Sequence, residues 1–519
     1  MGCSSSTSDC SYGNFYGSAS PQGRYRDDPE FPGLKLCTVD FRTSGSAGRR
    51  QRRPHVPKGQ LWTDTTFTLP VAIKEYAVKG IQWKRPQEIV QAPVLFSDGT
   101  SRFDVKQQNF GTCWFLAKLA VIAEKPDMCK KVINKASYRP LTDGVFHCRL
   151  WRFGQWVDVY TDDFLPVRYT NGHRQVYGAT SGTDKNEMWV SFMEKALAKL
   201  YGSYNEVGDE GGYSSDACLM LSGGVTELIE LQYDKPNPQQ LFDRLNQVFK
   251  MGANISCSIR ETHDVNMGLI AGHAYSLTGI RLVIRRNGEQ VPLLRLRNSH
   301  GSSEWKGTWG DMSYEWKTVS ESDKIRHDRD DGEFWMSFDD FLEQFCQIMI
   351  CCHRPDGLVD GRIQPMKYAL HIYGEWKGHS AAGRGKNVQE RLHNPRFEFT
   401  ISNKELNKDG YLPLFLQLVQ NTEHIHTDGM RCDLFMINRV DERKKRLYVL
   451  KMEDTLGNNV YNQRLHTNFR FTLRPGRYLA VPSTEKRGIN REFLIRVFCS
   501  SPVLQCRRIS GRISVFPDE

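Results

Sequence analysis

The stretch Gln107-Gln108-Asn109-Phe110-Gly111-Thr112-Cys113-Trp114-Phe115-Leu116-Ala117-Lys118-Leu119-Ala120 decides how this chain is read. A polar turn containing Gly111 passes at Cys113 into an apolar run with helical spacing (Trp114, Leu116, Ala117, Ala120, Val121), so a helix is expected to begin at the thiol. At a helix N-terminus the unpaired backbone N–H groups and the positive end of the dipole favour an anion. The Cys113 pKa is therefore expected to fall, making a nucleophilic thiolate accessible. Gln107, upstream in the same turn, offers an amide donor to an oxyanion forming beside the sulfur. A lone cysteine more often fills core and stays inert; the grouping with Gln, Gly and Trp marks this one as a nucleophile.

A thiolate needs a base and a group that orients the base, and both come from distant sequence. His273 lies in Gly268-Leu-Ile-Ala-Gly-His-Ala-Tyr-Ser-Leu-Thr-Gly279, with small residues on both sides and a strand-like run after it. Asn298 ends the strand-like Leu293-Leu294-Arg295-Leu296-Arg297 and opens a Gly-containing loop. A lone histidine is usually a surface or satisfied core residue. The ordered set Gln107, Cys113, His273, Asn298 is far more specific.

The chain of 519 residues has room for three or four domains. Its composition, 39% apolar and 25% charged, is that of a soluble globular protein, with no apolar run long enough to span a bilayer. The net charge of +10 is modest for this length and gives no reason to expect a nucleic-acid partner. Fourteen cysteines without an apolar signal-peptide core point to a reducing compartment, so all are expected to be free thiols. No Cys-x-x-Cys pair is present, which argues against structural zinc.

The chain resembles the calpains, calcium-dependent cytosolic cysteine proteases, over roughly residues 80–500. The resemblance is carried by Trp83-Lys-Arg-Pro86, residues 107–119, Gly144-Val-Phe-His147, Trp156-Val-Asp-Val-Tyr-Thr-Asp-Asp-Phe-Leu-Pro166, Glu194-Lys-Ala-Leu-Ala-Lys-Leu-Tyr-Gly202, Gly272-His-Ala-Tyr275, Asp331-Gly-Glu-Phe-Trp-Met-Ser-Phe338 and Pro475-Gly-Arg-Tyr-Leu-Ala-Val-Pro-Ser-Thr484. It implies an α+β fold: a papain-like core in two halves, residues 80–209 with Cys113 and residues 210–355 with His273 and Asn298. An antiparallel β-sandwich of C2-like type is expected over 365–500, where short alternating segments such as Phe397–Ile401 and Leu414–Leu418 are separated by Gly, Asn and Asp turns. Residues 501–519 are read as a tail. Splitting the catalytic set between two halves makes their apposition a natural switch.

The resemblance also implies two Ca²⁺ sites in the core. Asp104 and Glu187, with the backbone carbonyls of Ser97 and Gly99, match the family's ligands in the first half. Glu304, Asp311, Asp331 and Glu333, with the carbonyl of Arg329, match those in the second. Carboxylates and loop carbonyls are the hard oxygen donors Ca²⁺ prefers. The implied activity is calcium-dependent endopeptidase cleavage of protein substrates. Gln107 and the Cys113 N–H would hold the oxyanion, Cys113 would attack, His273 would carry the proton, and Asn298 would orient the imidazole.

Two positions depart from the family pattern. Thr112 stands where Asp usually precedes the nucleophile, and Asn298 is followed by Ser299-His300-Gly301 instead of Pro-Trp-Gly. His300 is expected to leave the Asn–His bond wetter and the calcium gate looser.

Residues 1–79 are rich in Ser, Gly, Arg and Pro and are expected to be largely disordered, with Tyr25–Pro32 resembling the segment that precedes calpain cores. They begin Met1-Gly2-Cys3-Ser4-Ser5-Ser6, a pattern for myristoylation at Gly2 with palmitoylation at Cys3. The basic cluster Arg49, Arg50, Arg52, Arg53 and Lys58 would add attraction to an anionic leaflet. The expected location is cytoplasmic and peripheral on membranes. A basic run at 441–446 in the sandwich region is a second possible lipid contact.

The segment Glu405-Leu-Asn-Lys-Asp-Gly410 fails as an EF-hand loop, because Leu416 stands where a bidentate Glu is required. The chain is therefore read as an atypical member without the penta-EF-hand module, and no EF-hand small subunit is expected. The alternative reading is a catalytically weak or silent, calcium-responsive membrane scaffold, supported by His300. Another papain-like enzyme, an acyl transferase or transglutaminase, is opposed by Asn298 in place of Asp and by the carboxylate sets.

Overall fold

A computed structural model describes residues 24–29, 31–43, 52–74, 80–133, 138, 142–170, 172–209, 211–259, 267–298, 303–320, 325, 331–352, 355–359, 362–404, 406, 409–425, 427–441, 443–444, 446–452 and 461–515. They fall into two units. One holds residues 46–355 with Thr422–Thr427; the other holds residues up to 45, 356–421 and 428 onward.

In the first unit, helix α1 spans Cys113–Ala123 and is buried along nearly its whole length. It stops because Pro126 disfavours helical geometry at Lys125, which is extended at φ −121° and ψ 90°. The hairpin β1 (Val145–Arg152) and β2 (Gln155–Asp162) turns between Arg152 and Gln155. Helix α2, Trp189–Tyr201, is a second central helix whose residues Trp189 to Ala198 are all buried. Its Lys195 is buried against the Asp162 carboxylate and donates to the Phe164 carbonyl at 2.6 Å. A buried cation is tolerable only when paired and hydrogen-bonded in this way.

The second half of this unit opens with α3 (Ser214–Ser222) and β3 (Val225–Glu230). Helix α4, Pro238–Lys250, starts at an Asn237 cap that accepts from the Gln240 N–H at 3.0 Å, and it buries Leu241, Phe242, Leu245 and Val248 on one face. Strands β4 (Asn254–Ser258), β5 (Ala274–Ile284), β6 (Gln290–Asn298), β7 (Glu333–Ser337) and β8 (Gln347–Cys352) complete an antiparallel sheet in the order β7-β6-β5-β4-β8-β3. Helix α1 lies against β4 and β5, and the Ser276 hydroxyl of β5 donates to the Ala117 carbonyl of α1 at 2.9 Å.

The expectation that every cysteine is free is corrected here. Cys218 of α3 and Cys351 of β8 form a disulfide, with Cα atoms 6.3 Å apart. Because α3 packs over β8, two residues separated by 133 positions meet at disulfide distance, which no local spacing reveals.

The second unit is a sandwich of two six-stranded sheets. Its strands are β9 (Tyr368–Trp376), β10 (Phe397–Ile401), β11 (Leu412–Gln420), β12 (Met430–Asp441), β13 (Arg446–Lys451), β14 (His466–Leu473), β15 (Gly476–Thr484), β16 (Arg491–Cys499), β17 (Val503–Arg508) and β18 (Arg512–Val515). One sheet runs Arg26–Asp27, Lys35–Asp40, β9, β16, β11, β14; the other runs β17, β10, β15, β12, β13, β18. Inward residues of both, among them Leu416, Phe471, Ile495, Phe399 and Tyr478, form one core.

Three expectations change. Within residues 1–79, expected to be largely disordered, Lys35–Asp40 pairs with β9 and buries Cys37 and Val39, and the Asp64 N–H is tied to the Asp162 carboxylate at 2.7 Å. Residues 501–519 are not merely a tail, since β17 and β18 close one sheet. The sandwich is not wholly antiparallel. Lys35–Asp40 joins β9 and β18 joins β13 in parallel, as strands arriving from remote sequence can.

Candidate active site

Cys113 is the first residue of α1, as expected, and the turn before it is held without a conventional cap. The Thr112 hydroxyl donates to Glu194 Oε1 of α2 at 2.5 Å, while the Ala179 N–H donates to Oε2 at 2.7 Å. Glu194 is fully buried, and burial pushes its pKa up to about 7 against these two donors. Gly111 is required by a close approach: a Cβ there would lie 2.3 Å from the Gly208 carbonyl oxygen. Trp114 anchors the first turn by donating from Nε1 to the Val207 carbonyl at 3.0 Å.

Gln107 sits in the same turn and donates from Nε2 to the Phe110 carbonyl at 2.9 Å. Cys113 itself is half-buried, and its sulfur is approached by the backbone N–H groups of Ala274, Trp114 and its own residue. The expected fall in its pKa is corrected: burial pushes the thiol up, more than these donors lower it. The helix terminus alone does not outweigh the low-dielectric surroundings.

The Ala274 contact brings the second half to the thiol, because Ala274 follows His273 at the start of β5. His273 is buried, and its Nε2 is 2.8 Å from Asn298 Oδ1. An amide oxygen can only accept, so this bond places the ring proton on Nε2 and leaves Nδ1 as the lone-pair nitrogen. Asn298 is fully buried at the end of β6, opposite Tyr275 in register, and its Nδ2 donates to the Ser303 carbonyl at 3.2 Å. Ser303 adopts φ 66°, a left-handed conformation unusual for serine that presents this carbonyl. The structure thus brings Cys113, His273–Ala274 and Asn298 together. His300 lies outside the described residues, as do Gly2, Cys3 and Arg329.

The first carboxylate set is also assembled. Asp104 accepts from the Thr183 hydroxyl at 2.7 Å and the Ser101 N–H at 2.6 Å; Glu187 accepts from the Ser97 N–H at 3.1 Å and the Ser181 hydroxyl at 2.8 Å. Burial raises the pKa of both, and the Asp104 charge raises Glu187 further. Two buried, mutually repelling carboxylates beside the Ser97–Gly99 loop are a donor set that fits a hard divalent cation. Among the described residues no cluster of three or more Asp, Glu, His or Cys side chains could hold a metal alone, so backbone carbonyls or water would have to complete any shell there.

In the second set, Glu304 Oε1 accepts from the Asp331 and Gly332 N–H groups at 3.1 and 2.8 Å, and Asp331 Oδ1 accepts from the Glu333 N–H at 3.0 Å. Asp311 is buried. Glu333 takes Arg102 on both oxygens and lies 3.6 Å from Arg295. Burial would raise its pKa, but Arg295, the Thr278 hydroxyl and Arg102 hold it below the usual range. Arg102, Glu194, Ser276 and Ser303 were missed in sequence. Only Glu194 left a signal, as an acid inside the apolar helical run Trp189–Tyr201.

The model for calpain family cysteine proteases matches residues 63–352, and that for calpain large subunit domain III matches residues 372–498. Calpain-A of Drosophila melanogaster is 36% identical over 448 residues, covering 80% of this chain and 52% of that protein. Calpain clp-1 of Caenorhabditis elegans is 34% identical, covering 81% and 56%, and Calpain-5 of Mus musculus is 32% identical, covering 83% and 70%. The chain spans little more than half the length of the first two.

Proposed function

Because the chain belongs to the calpain family of cysteine proteases, we propose that it is a calcium-dependent cysteine endopeptidase acting on protein substrates. The observation that carries this reading is the His273 Nε2 bond to Asn298 Oδ1, with the neighbouring Ala274 N–H at the Cys113 sulfur. His273 Nδ1 takes the Cys113 proton as the sulfur adds to a peptide carbonyl, and the oxyanion meets the Cys113 N–H and the Gln107 amide. The same imidazolium then protonates the leaving amine. Water, deprotonated by His273, cleaves the thioester and returns the free thiol. Asn298 holds the ring so that Nδ1 faces the sulfur.

Asp104 and Glu187, with the Ser97 and Gly99 carbonyls, would hold one cation, and Glu304, Asp311, Asp331, Glu333 and the Arg329 carbonyl a second. Bound there, Ca²⁺ would supply the positive charge that offsets the repulsion between buried carboxylates.

Membrane tethering through Gly2 and Cys3 is the finer proposal, and its support is the N-terminal pattern with the basic cluster. One member of that cluster, Arg53, is paired with Asp143 at 2.6 Å and is less available to a lipid surface. Among the described residues no helix is long and apolar enough to cross a membrane.

The test is a calcium titration of fluorogenic-peptide cleavage by the full chain beside its Cys113→Ser variant. Calcium-dependent turnover that disappears in the variant is expected. Calcium binding without turnover would favour the scaffold reading, for which the raised Cys113 pKa is the one structural argument.

A further inference from the structure

At the C-terminal end of α1, away from Cys113, the larger unit contains a cavity of about 180 Å³. Ala120 and Val121 of α1, Phe249 and Ala253 at the end of α4, and Leu277 of β5 form its apolar part, with Asn254, Ser276 and Thr278 as neutral polar groups beside them. Four charged residues also face it, Arg102, Glu124, Lys125 and Arg297. Three of these are engaged elsewhere. Arg102 is shared between Glu124 at 3.0 Å and Glu333 at 3.0 Å, which also neutralises Glu124. The Lys125 ammonium donates to the Gly252 carbonyl and to Asn254 Oδ1.

Arg297 is different. It is 4% exposed, and among the described residues its guanidinium makes no hydrogen bond and no ion pair; Nε is buried without a partner. The guanidinium lies over the face of the Phe103 ring, 5.2 Å from the centroid. A buried guanidinium that lacks a hydrogen-bond acceptor is unfavourable; the Glu333, Asp331 and Glu124 carboxylates act on it only through their charge. The planar fork of an arginine suits a carboxylate, which it can grip with two parallel bonds. The apolar walls suit a hydrocarbon body. An engineered apolar cavity of about 150 Å³ holds benzene, so the space here accepts one ring or a short chain.

We propose that this cavity binds a small amphiphilic carboxylate of benzoate size, its carboxylate on Arg297 and its apolar body between α1, the end of α4 and β5. Inorganic phosphate is the poorer match, because it has no apolar body to cover Ala120, Val121, Phe249, Ala253 and Leu277. The site has regulatory reach. It is lined from both halves of the unit, and Arg297 immediately precedes Asn298, so a bound acid favours the arrangement in which the halves are apposed.

The test uses the full chain carrying Cys113→Ser, titrated by calorimetry with benzoate, benzyl alcohol and inorganic phosphate, with melting temperature followed in parallel. Benzoate is expected to bind one-to-one and raise the melting temperature, with benzyl alcohol at least about tenfold weaker and phosphate without effect. Arg297→Met should weaken benzoate by more than about tenfold while sparing benzyl alcohol. Ala120→Leu, which fills the cavity without altering charge, should abolish both. Equal affinity for benzoate and benzyl alcohol, benzoate binding that survives Ala120→Leu, or no benzoate binding at all would overturn the proposal. Phosphate binding as tight as benzoate would overturn the role given to the apolar walls. The comparison of the three compounds on one protein decides the matter even if a variant fails to fold. None of these readouts depends on peptidase activity.

Discussion

Arg102 grips Glu333 with two parallel bonds, Nε to Oε1 at 3.1 Å and a terminal nitrogen to Oε2 at 3.0 Å. Arg102 belongs to the short turn Arg102–Asp104, so it shares its backbone with a carboxylate of the first set; Glu333 lies two positions beyond Asp331 of the second. The pair therefore ties the two carboxylate sets, and the two halves of the unit, to one another.

Removing that tie should be costly. Arg102→Ala leaves Glu333, which is 6% exposed, with Arg295 at 3.6 Å and the Thr278 hydroxyl but without its forked partner. Breaking a mostly buried pair from one side is expected to lower stability by about 3 kcal/mol, read from the urea midpoint. Peptide turnover should fall at least about tenfold. Arg102→Lys restores the charge without the fork and should recover only part of either loss.

The Thr112–Glu194 contact sets a pH dependence. Glu194 titrates near pH 7 in the folded chain, against about 4.3 for an unperturbed glutamate. The folded state therefore binds the extra proton between these values. Stability from this group is full below about pH 4 and declines as pH rises, levelling off above 7. Glu194→Gln keeps an acceptor for the Ala179 N–H and removes the charge. It is expected to flatten the fall in stability between pH 5.5 and 8.5, with a gain at the upper end of at most about 4 kcal/mol. Urea midpoints at the two pH values check this; an unchanged slope would remove Glu194 as its source.

Much of the larger unit was legible because its chemistry is written locally. The Gln107 to Ala120 stretch predicts a helix starting at the nucleophile, and the strand-like runs beside His273 and Asn298 become β5 and β6. What could not be read depends on which surfaces meet in three dimensions. Burial of Cys113 reverses the expected direction of its pKa, since the dipole argument is local and desolvation is not. The Cys218–Cys351 bond and the strand pairing of Lys35–Asp40 with β9 join residues far apart in the chain. Thr112 stood out in sequence only as a departure from Asp before the nucleophile, whereas in the structure its hydroxyl donates to the buried Glu194.

Asn298 tests the proton path. In Asn298→Ala the imidazole loses the acceptor at 2.8 Å that fixes which nitrogen carries the proton. Turnover is expected to fall by about two orders of magnitude, the range of a misplaced general base, while KM changes little. Asn298→Asp keeps an acceptor and should recover part of kcat while moving the acid limb of the pH profile, because a carboxylate favours imidazolium. Kinetics of both variants across pH check the assignment. Equal losses in the two would argue for a packing role instead.

The Cys218–Cys351 bond makes the larger unit sensitive to reductant. It joins residues 133 positions apart, and in the chain-entropy account a loop of that size restricts the unfolded state by about 5 kcal/mol at most. A reducing agent is therefore expected to lower the urea midpoint of the full chain, by an amount that Cys218→Ser reproduces without further response to the reductant. Both thiols are buried, so reduction should proceed slowly and follow unfolding of the unit. Peptide mapping under non-reducing conditions provides the independent check. A midpoint indifferent to reductant, together with unlinked Cys218 and Cys351 peptides, would show that the pair stays as two thiols in solution.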